Sequence, residues 1–495
     1  MTTFAKPELL SPAGSLKNMR YAFAYGADAV YAGQPRYSLR VRNNEFNWEN
    51  LEIGINEAHA LGKKFYIVVN IAPHNAKLKT FIKDMERVVA MKPDAFILSD
   101  PGLIMLMHQY FPEAVLHLSV QANAVNWAAC KFWYDYGVSR VILSRELSLD
   151  EIEEIRQHVP ELELEVFVHG ALCMAYSGRC LLSGYINKRD PNQGTCTNAC
   201  RWQYDLQEGQ EDELGQIVER VAAGETVDGR EEDPNAKLLN SSADDLKIAV
   251  NNVEPTLGIG QPTNKTFLIT EPRRPDEKMT AFEDEHGTYI MNSRDLRAIQ
   301  HIPRLTQMGV HSVKIEGRTK SFFYCARTAQ IYRQAIDDAA AGKELDPSLI
   351  RQLDSLAHRG YTDGFLQRHT HDQYQHYVSG NSTSDFQQFV GAFTGERQGN
   401  LALVEVKNKF KVGDFIEIMT PKGNKSYRLE KMFNRKMEPT DVAPGDGHKV
   451  WLEVDPEMEL EYALVLRYLE DGLDTTDPHG RKAAANANIN IKELN

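Results

Sequence analysis

The chain has 495 residues, 42% of them hydrophobic, so it can bury a large core and is long enough for two to four domains. Its formal net charge of −13 argues against nonspecific adhesion to nucleic acid over the whole surface. No apolar run approaches the roughly 20 residues that cross a bilayer, and the amino terminus lacks a signal-peptide layout, so we expect a cytoplasmic protein. Under reducing conditions, clustered cysteines indicate metal binding or redox chemistry rather than disulfides.

The first third of the chain alternates short β-rich runs with stretches of helical periodicity. One helical stretch opens with Ser148 and Glu151, the spacing of a capping box. Seven such alternations imply a parallel sheet, and an eighth strand after residue 312 would close it, which predicts a TIM-like (β/α) barrel. The predicted strands cover 8–12, 29–33, 64–70, 95–100, 115–122, 140–146, 165–170 and 312–317.

The β–α pattern breaks after the seventh strand. Residues 205–285 form an acidic stretch, with eleven acidic residues and two arginines between Asp205 and Asp233. We predict an insertion here, on the barrel face where active sites of this fold lie. The β-like run at 288–293 is assigned to this insertion or to a decoration, and a helix is predicted between it and the eighth strand. The barrel and its following helices would then comprise 1–204 and 286–385.

Residues 388–470 read as short strands with turn punctuation, which predicts a small C-terminal β-barrel, and 471–495 as a disordered tail. Within 407–436, nine lysines and arginines face three acids, which suggests RNA binding or simply a solvated surface. Phe410, Tyr427 and Phe433 are either base-stacking platforms or core residues. The RNA-binding candidates are Lys422, Lys425 and Arg428.

Four of the six cysteines lie between residues 173 and 200, with the spacing C-x6-C-x15-C-x3-C. Four thiolates suit a [4Fe–4S] cluster or a structural zinc site. The wide gaps fit zinc poorly, but the residues alone leave a cluster, zinc and unconnected structural thiols open. Cys130 and Cys325 lie in helical, apolar segments and are expected in the core.

The segment EVFVHGALCMAYSGRCLLSGY, residues 165–185, resembles the signature of the so-called peptidase family U32. Further similar segments are PELLSPAGSLKNMRYAFAYGADAVYAG, SVQANAVNW, VILSRELSL, SVKIEGRTKS and HRGYTDGF. The resemblance covers nearly the whole chain apart from the acidic insertion and the tail. It implies a prephenate-dependent, O2-independent hydroxylase that converts the wobble uridine of the tRNA anticodon loop to 5-hydroxyuridine.

The resemblance also implies a [4Fe–4S] cluster, whose ligands would be Cys173, Cys180, Cys196 and Cys200. An electron-transfer or iron–sulfur delivery protein is a further possible partner. His169 and Glu146 are candidate acid–base residues beside this segment and the sixth strand.

Prephenate carries two carboxylates, so its pocket needs guanidinium or ammonium groups near strand ends. The cationic candidates are Arg36, Arg40, Arg42, Arg145, Lys314 and Arg318. Asn70, Gln121 and Asn123 end strands and are candidates for binding substrate hydroxyls or an extruded base. The simpler interpretation is that the cations form ion pairs at the barrel rim and that the amide side chains cap turns.

The sequence leaves two other functions open. The family's historical name suggests a peptidase, but the chain has neither an H-E-x-x-H nor a G-x-S-x-G motif, and proteolysis does not explain four cysteines. The second alternative is a noncatalytic RNA-binding or redox-sensing iron–sulfur protein. It gives no role to the polar side chains at the strand ends.

Overall fold

The computed structural model describes residues 3–38, 45–71, 73–172, 294–318, 320–358, 360–367 and 387–469 in full. Between 173 and 293 it describes the course of seven strands without their side chains. The predicted domain boundaries stay predictions.

Eight parallel strands form a closed barrel, which confirms the predicted fold class. Each strand pairs with its neighbour in chain order, and the last strand pairs in parallel with both the first and the seventh. Most strand residues are buried on both faces, as expected when helices cover a parallel sheet. The barrel strands are β1 Glu8–Pro12, β2 Ala29–Gly33, β3 Lys64–Val69, β4 Ala95–Leu98, β5 Leu116–Leu118, β6 Arg140–Ile142, β7 Glu163–Ala171 and β16 Ser312–Ile315.

Helices connect the strands, and most start at a side-chain cap. The predicted capping box of Ser148 and Glu151 is present in both directions. No helix in the described part of the chain is long and apolar enough to span a bilayer. The helices are α1 Leu16–Ala24, α2 Trp48–Ala60, α3 Asn75–Ala90, α4 Pro101–Tyr110, α5 Trp127–Asp135, α6 Leu149–His158, α7 Ile302–Gln307, α8 Phe322–Ala340 and α9 Pro347–Leu353.

Two strands beside β7 differ from the prediction. The segment expected as one helix before β16 instead forms β15, Asp295–Arg297, then a 3-10 turn and the short α7. Pro303 fits only the first turn of a helix, so α7 begins at Ile302. β15 pairs antiparallel with the long end of β7, and β17, Tyr361–Thr362, pairs with β15.

The insertion after β7 contains a two-stranded hairpin and a five-stranded antiparallel sheet, in the order β11-β10-β12-β13-β14. The run predicted at 288–293 contributes the last strand of this sheet, so it belongs to the insertion. These strands are β8 Ala175–Tyr176, β9 Arg179–Cys180, β10 Asp205–Glu211, β11 Ile217–Glu219, β12 Thr266–Glu271, β13 Arg274–Asp284 and β14 Gly287–Ile290.

Residues 387–469, hereafter the C-terminal region, are entirely β, as predicted. Seven strands form an antiparallel sheet in the order β22-β21-β26-β18-β19-β25-β23, and β20 pairs with β24. β20 and β21 are separated at Gly413, whose φ of 95° breaks the extended backbone. The strands are β18 Gln387–Gln398, β19 Leu401–Val406, β20 Phe410–Lys411, β21 Phe415–Thr420, β22 Gly423–Arg428, β23 Met432–Asn434, β24 Val442–Ala443, β25 Lys449–Glu453 and β26 Leu464–Tyr468.

The C-terminal region packs directly on the outer helices of the barrel. The Tyr25 hydroxyl after α1 lies 3.0 Å from the carbonyl oxygens of both Met419 and Tyr462. Phe323 of α8 stacks on Phe389 of β18, with ring centres 5.0 Å apart. These buried contacts join the two parts through one continuous apolar cluster.

Candidate functional site

Three predicted substrate-binding amides lie together at the barrel mouth, meaning the carboxyl ends of the barrel strands. The Asn70 amide donates to the Ser119 hydroxyl over 3.5 Å, and the Ser99 hydroxyl donates to the Asn70 carbonyl over 3.1 Å. The Gln121 backbone N–H also donates to the Ser119 hydroxyl, and the Asn123 amide donates to the Gln121 carbonyl. These bonds hold the half-buried rim from β3 to β5 in one arrangement.

Arg145 follows β6 and extends this rim with a positive charge. Its guanidinium lies over the Phe167 ring of β7, 3.7 Å from the ring centre. Within the described residues no carboxylate forms an ion pair with it, and its buried Nε has no hydrogen-bond partner. The neighbouring Glu146 carboxylate accepts a hydrogen bond from the Ser144 hydroxyl. A guanidinium held by an aromatic face keeps its charge available to an anionic ligand.

Lys314 belongs to a buried charge network. Its ammonium lies 2.9 Å from the Glu165 carboxylate, and both side chains are at most 4% exposed. Arg140 at the start of β6 pairs with the same Glu165 and, over 2.6 Å, with Glu8 at the start of β1. Burial lowers the pKa of Lys314, and the Glu165 carboxylate opposes that effect. The Lys314 charge is therefore balanced by Glu165 inside the barrel.

Arg318 and Arg36 have different surroundings. Arg318 donates to the Ser38 hydroxyl over 2.6 Å. A side chain on Gly33 would come within 2.6 Å of the Arg318 guanidinium, so this arginine packs against the loops after β1 and β2 at the mouth. Arg36 instead pairs with Asp84 of α3 over 2.7 Å. The remaining candidates of this group, Arg40 and Arg42, lie outside the described residues.

His169 faces the tyrosines of α8 and β17. The Tyr332 hydroxyl lies 3.3 Å from the His169 Nδ1, and the rings of Tyr324 and Tyr361 lie 5.8 and 5.5 Å from its ring. Burial, and then the charge of Arg297, lowers the pKa of His169 to about 3. The imidazole is therefore neutral at physiological pH. Its catalytic role stays a prediction, and its surroundings suit a structural histidine equally.

The four predicted cluster ligands cannot be placed by their side chains. Cys173, Cys196 and Cys200 lie outside the described residues, and Cys180 is described only as the end of β9. β7 ends at Ala171, so the chain enters the cysteine segment at the barrel mouth. Among residues with described side chains, no group of three or more potential ligands is arranged for a metal ion.

The two remaining cysteines are core residues, as predicted. Cys130 and Cys325 are buried free thiols, and burial raises the pKa of each to about 12. The Cys325 thiol donates to the Pro12 carbonyl oxygen over 3.5 Å. Both thiols therefore stay protonated and unreactive at physiological pH.

The RNA-binding candidates lie on or beside the exposed strand β22. Lys425 pairs with Asp455 over 3.2 Å, and Lys422 pairs with Glu459. Arg428 donates to the Gly413 carbonyl oxygen and so keeps its charge.

The proposed stacking aromatics of the C-terminal region differ in burial. Phe410 is fully buried and is therefore a core residue. Tyr427 and Phe433 are partly buried, and the Tyr427 hydroxyl donates to the Glu453 carbonyl oxygen.

The interior charge network was not predicted from the sequence. Its signal was present: Glu8, Arg140 and Glu165 occupy early strand positions that would otherwise be apolar in a parallel sheet. His117 on β5 is a further buried member, and its pKa is lowered well below the usual value by burial and then by Arg140.

Two family models match consecutive parts of the chain. Peptidase family U32 matches residues 14–376, and the peptidase family U32 C-terminal domain matches residues 385–467. This chain belongs to peptidase family U32. The chain is 69% identical over 476 residues to tRNA hydroxylation protein P of Escherichia coli K12. The alignment covers 96% of this chain and 100% of the relative. The Haemophilus influenzae protein of the same name is 67% identical, with 97% and 100% covered.

A more distant relative is named for the synthesis of 5-hydroxycytidine in ribosomal RNA. The E. coli 23S rRNA 5-hydroxycytidine C2501 synthase is 26% identical over 368 residues, covering 72% of this chain and 45% of that protein. The solved structure of the U32 peptidase Mk0906 is 11% identical with a TM-score of 0.30, and it covers 34% of this chain and 71% of its own.

Proposed function

We propose that this protein hydroxylates the wobble uridine of tRNA to 5-hydroxyuridine, with prephenate as the hydroxyl donor and a [4Fe–4S] cluster as cofactor. The single observation that carries the RNA substrate is the 69% identity, over nearly the full chain, to a protein named for tRNA hydroxylation. The related rRNA 5-hydroxycytidine synthase supports a base hydroxylation. The proposal of prephenate as donor and of the cluster as cofactor is based on the family resemblance and on the residues at the barrel mouth.

The cluster ligands are those that the family resemblance implies, and the two described thiols support that choice. Cys130 and Cys325 are buried in the core with raised pKa values, so they are poor ligands. The four thiols of residues 173–200 remain, which is the number that a [4Fe–4S] cluster requires. Cys173, Cys180, Cys196 and Cys200 would hold it at the carboxyl end of β7, where it would supply one-electron redox chemistry. An electron or iron–sulfur delivery protein would serve such a centre.

The protein's own groups would bind and orient the two substrates. Arg145 would bind a prephenate carboxylate, because its guanidinium is fixed over Phe167 without a carboxylate partner among the described residues. Arg318 would bind the second carboxylate from the loop after β16, which is separated from β6 and Arg145 only by β7. The amides of Asn70 and Gln121 would bind the extruded uridine, since amide groups match the donor–acceptor edge of a base. The anticodon loop is single-stranded, so presenting its base costs little.

Glu146 would serve as the proton-accepting group near the reacting base. Its carboxylate adjoins Arg145 and is oriented by the Ser144 hydroxyl. His169 is proposed as an alternative, but its pKa of about 3 makes it a weak base.

The test is complementation of a strain that lacks this gene. Mass spectrometry of its tRNA should show loss of 5-hydroxyuridine, and plasmid-borne wild-type protein should restore it. Unchanged 5-hydroxyuridine in the deletion strain would refute the proposed function. A strain unable to make prephenate, expressing the wild-type protein, should show the same loss, and full modification there would refute prephenate as donor.

A further inference from the structure

A second cleft opens between the barrel and the C-terminal region and runs along the outer face of α1, with Lys17 at the end nearest the mouth. It has a volume of about 490 Å³ and is walled by α1 on one side and by the second half of β18 and the turn before β26 on the other. Lys17, Arg20, Tyr21, Phe393, Arg397 and Tyr462 line it. The cleft is therefore cationic and aromatic, the combination that binds single-stranded nucleic acid.

The cations of this cleft are only partly neutralised. Arg20 pairs with Glu57 over 2.6 Å, just outside the cleft, and Glu461 also lines it. Of the residues that line the cleft, Lys17, Arg20 and Arg397 are cationic and Glu461 alone is anionic, while Glu57 and Glu405 act on the cations from outside it.

Two of the cations form no ion pair within the described residues. Lys17 lies over the Phe322 ring, with its ammonium 3.8 Å from the ring centre, and forms no ion pair within the described residues. Arg397 donates to the carbonyl oxygens of Pro456, over 2.7 Å, and Met458, so its charge is fixed in place but not cancelled. Burial lowers the pKa of Lys17, and the Glu405 carboxylate opposes this. A phosphate at Lys17 would stabilise the charged ammonium.

The aromatic wall carries backbone strain. Tyr462 has φ of 61°, a left-handed conformation that is costly for a bulky residue. The Tyr25 hydroxyl holds it by donating to its carbonyl oxygen over 3.0 Å. The Tyr462 ring meets Tyr21 edge to face, with centres 5.2 Å apart. This strained conformation presents a partly exposed ring to the cleft, where a base or ribose can pack against it.

The position of the cleft connects it to the mouth. Lys17 is in the first turn of α1, and in a (β/α) barrel the helix that follows a strand begins on the mouth side. Three residues earlier, a side chain on Gly14 would lie 2.1 Å from the carbonyl oxygen of Arg318, at the mouth itself. A strand of RNA leaving the mouth over this loop reaches Lys17 next.

We infer that this cleft binds the ribose–phosphate backbone and one unpaired base of the tRNA segment that flanks the modified uridine. The inference rests on the proposed function, since it takes tRNA as the substrate. Lys17 and Arg397 contact phosphates, and Tyr462 packs against a base. Substrate affinity is thereby shared between the barrel and the C-terminal region, while the reacting base is bound by the mouth alone.

The experiment measures binding and turnover separately, with an unmodified tRNA transcript that carries a wobble uridine. Lys17→Gln is expected to weaken binding several-fold and to flatten the plot of log affinity against log salt by about 0.7, the value for one single-strand phosphate contact. kcat at saturating tRNA should stay unchanged and KM for tRNA should rise. Lys17→Arg should restore both affinity and slope.

The aromatic contact has its own pair of variants. Tyr462→Gly removes the ring while relieving the left-handed strain, so it should weaken tRNA binding without a loss of folding. Tyr462→Phe keeps the ring and should bind as the wild type does. Lys343→Gln is the matched charge control, because Lys343 follows the end of α8, at the barrel end opposite the mouth.

Two outcomes would overturn the inference. If Lys17→Gln keeps the wild-type affinity and salt slope while the protein still hydroxylates tRNA, the cleft does not bind RNA and the proposed function stands. If Lys17→Gln loses modification in cells but not tRNA affinity in vitro, the cleft serves a protein partner instead. Failure of the proposed function is read separately, from 5-hydroxyuridine persisting in the deletion strain.

Discussion

The Arg327 guanidinium of α8 lies 3.0 Å from the Glu417 carboxylate of β21, and this ion pair joins the barrel to the C-terminal region. The two side chains are only 2% and 8% exposed. Glu417 also accepts hydrogen bonds from Asn424 and Tyr468, over 3.1 Å each. These bonds fix the carboxylate and occupy its acceptor sites. The burial of Arg327 and Glu417 makes the pair a sensitive point of the interface.

Removing one partner of this pair should destabilise the protein. Arg327→Ala leaves a buried carboxylate uncompensated, and the free energy of unfolding should fall by about 3–5 kcal/mol. Urea denaturation checks this. The double variant Arg327→Met, Glu417→Leu should lose much less, because neither charge then remains buried. A single variant with wild-type stability would show that water reaches the pair.

Arg145 should control the affinity for prephenate. Arg145→Ala is expected to raise KM for prephenate by roughly tenfold or more, since a hydrogen bond to a charged group contributes about 1.5–3 kcal/mol. Arg145→Lys should recover only part, because an ammonium lacks the planar fork. Steady-state hydroxylation assays measure this, and Arg304→Gln on the exposed surface of α7 is the control. An unchanged KM in Arg145→Ala would place the carboxylate site elsewhere.

The buried histidines should make the protein sensitive to acid. The pKa of His169 is about 3 in the folded state, against 6.5 ordinarily, so between these values the unfolded chain binds more protons. Stability therefore falls as pH drops from 6.5 toward 3, by at most about 1.4 kcal/mol per pH unit for this group. His117 adds to the effect in the same direction.

Urea midpoints at pH 7, 6 and 5 test this titration. His169→Phe should show a shallower loss of stability than the wild type, with the His117 contribution remaining. Parallel curves for the two proteins would mean that His169 is not buried in its neutral form.

Cys180→Ala should abolish both iron content and tRNA hydroxylation, because a [4Fe–4S] cluster needs its thiolate ligands. Iron and sulfide assays after anaerobic purification, with mass spectrometry of tRNA, provide the two measurements. Cys130→Ala is the control and should retain its iron, since that thiol is buried in the core. A Cys180→Ala protein with full iron and full modification would contradict the cluster assignment.

Neutralising Lys422, Lys425 and Arg428 together should weaken tRNA binding and flatten its salt dependence. The two lysines have carboxylate partners, so Arg428→Gln alone should account for much of the change. Fluorescence anisotropy across a salt titration resolves the slopes. Equal affinity of the triple variant and the wild type at every salt concentration would refute this placement.

The sequence by itself determined the features that repeat locally. The alternation of β-rich and helical runs predicted the eight barrel strands, and Ser148 with Glu151 predicted a helix start that the structure contains. Apolar surroundings predicted that Cys130 and Cys325 are core residues. Each of these depends on neighbours within a few residues, so spacing along the chain is enough to read them.

Only the tertiary structure decided which way the strand-end side chains point and what they meet. The register of β7 against β16 shifts between Lys314 and Ile315, and such an irregularity breaks the simple alternation of side chains. His169 therefore faces the tyrosines of α8 and β17, while Lys314 pairs with Glu165, 149 residues away. Barrel closure sets these partners, because it brings together charges whose separation along the chain carries no signal of their contact.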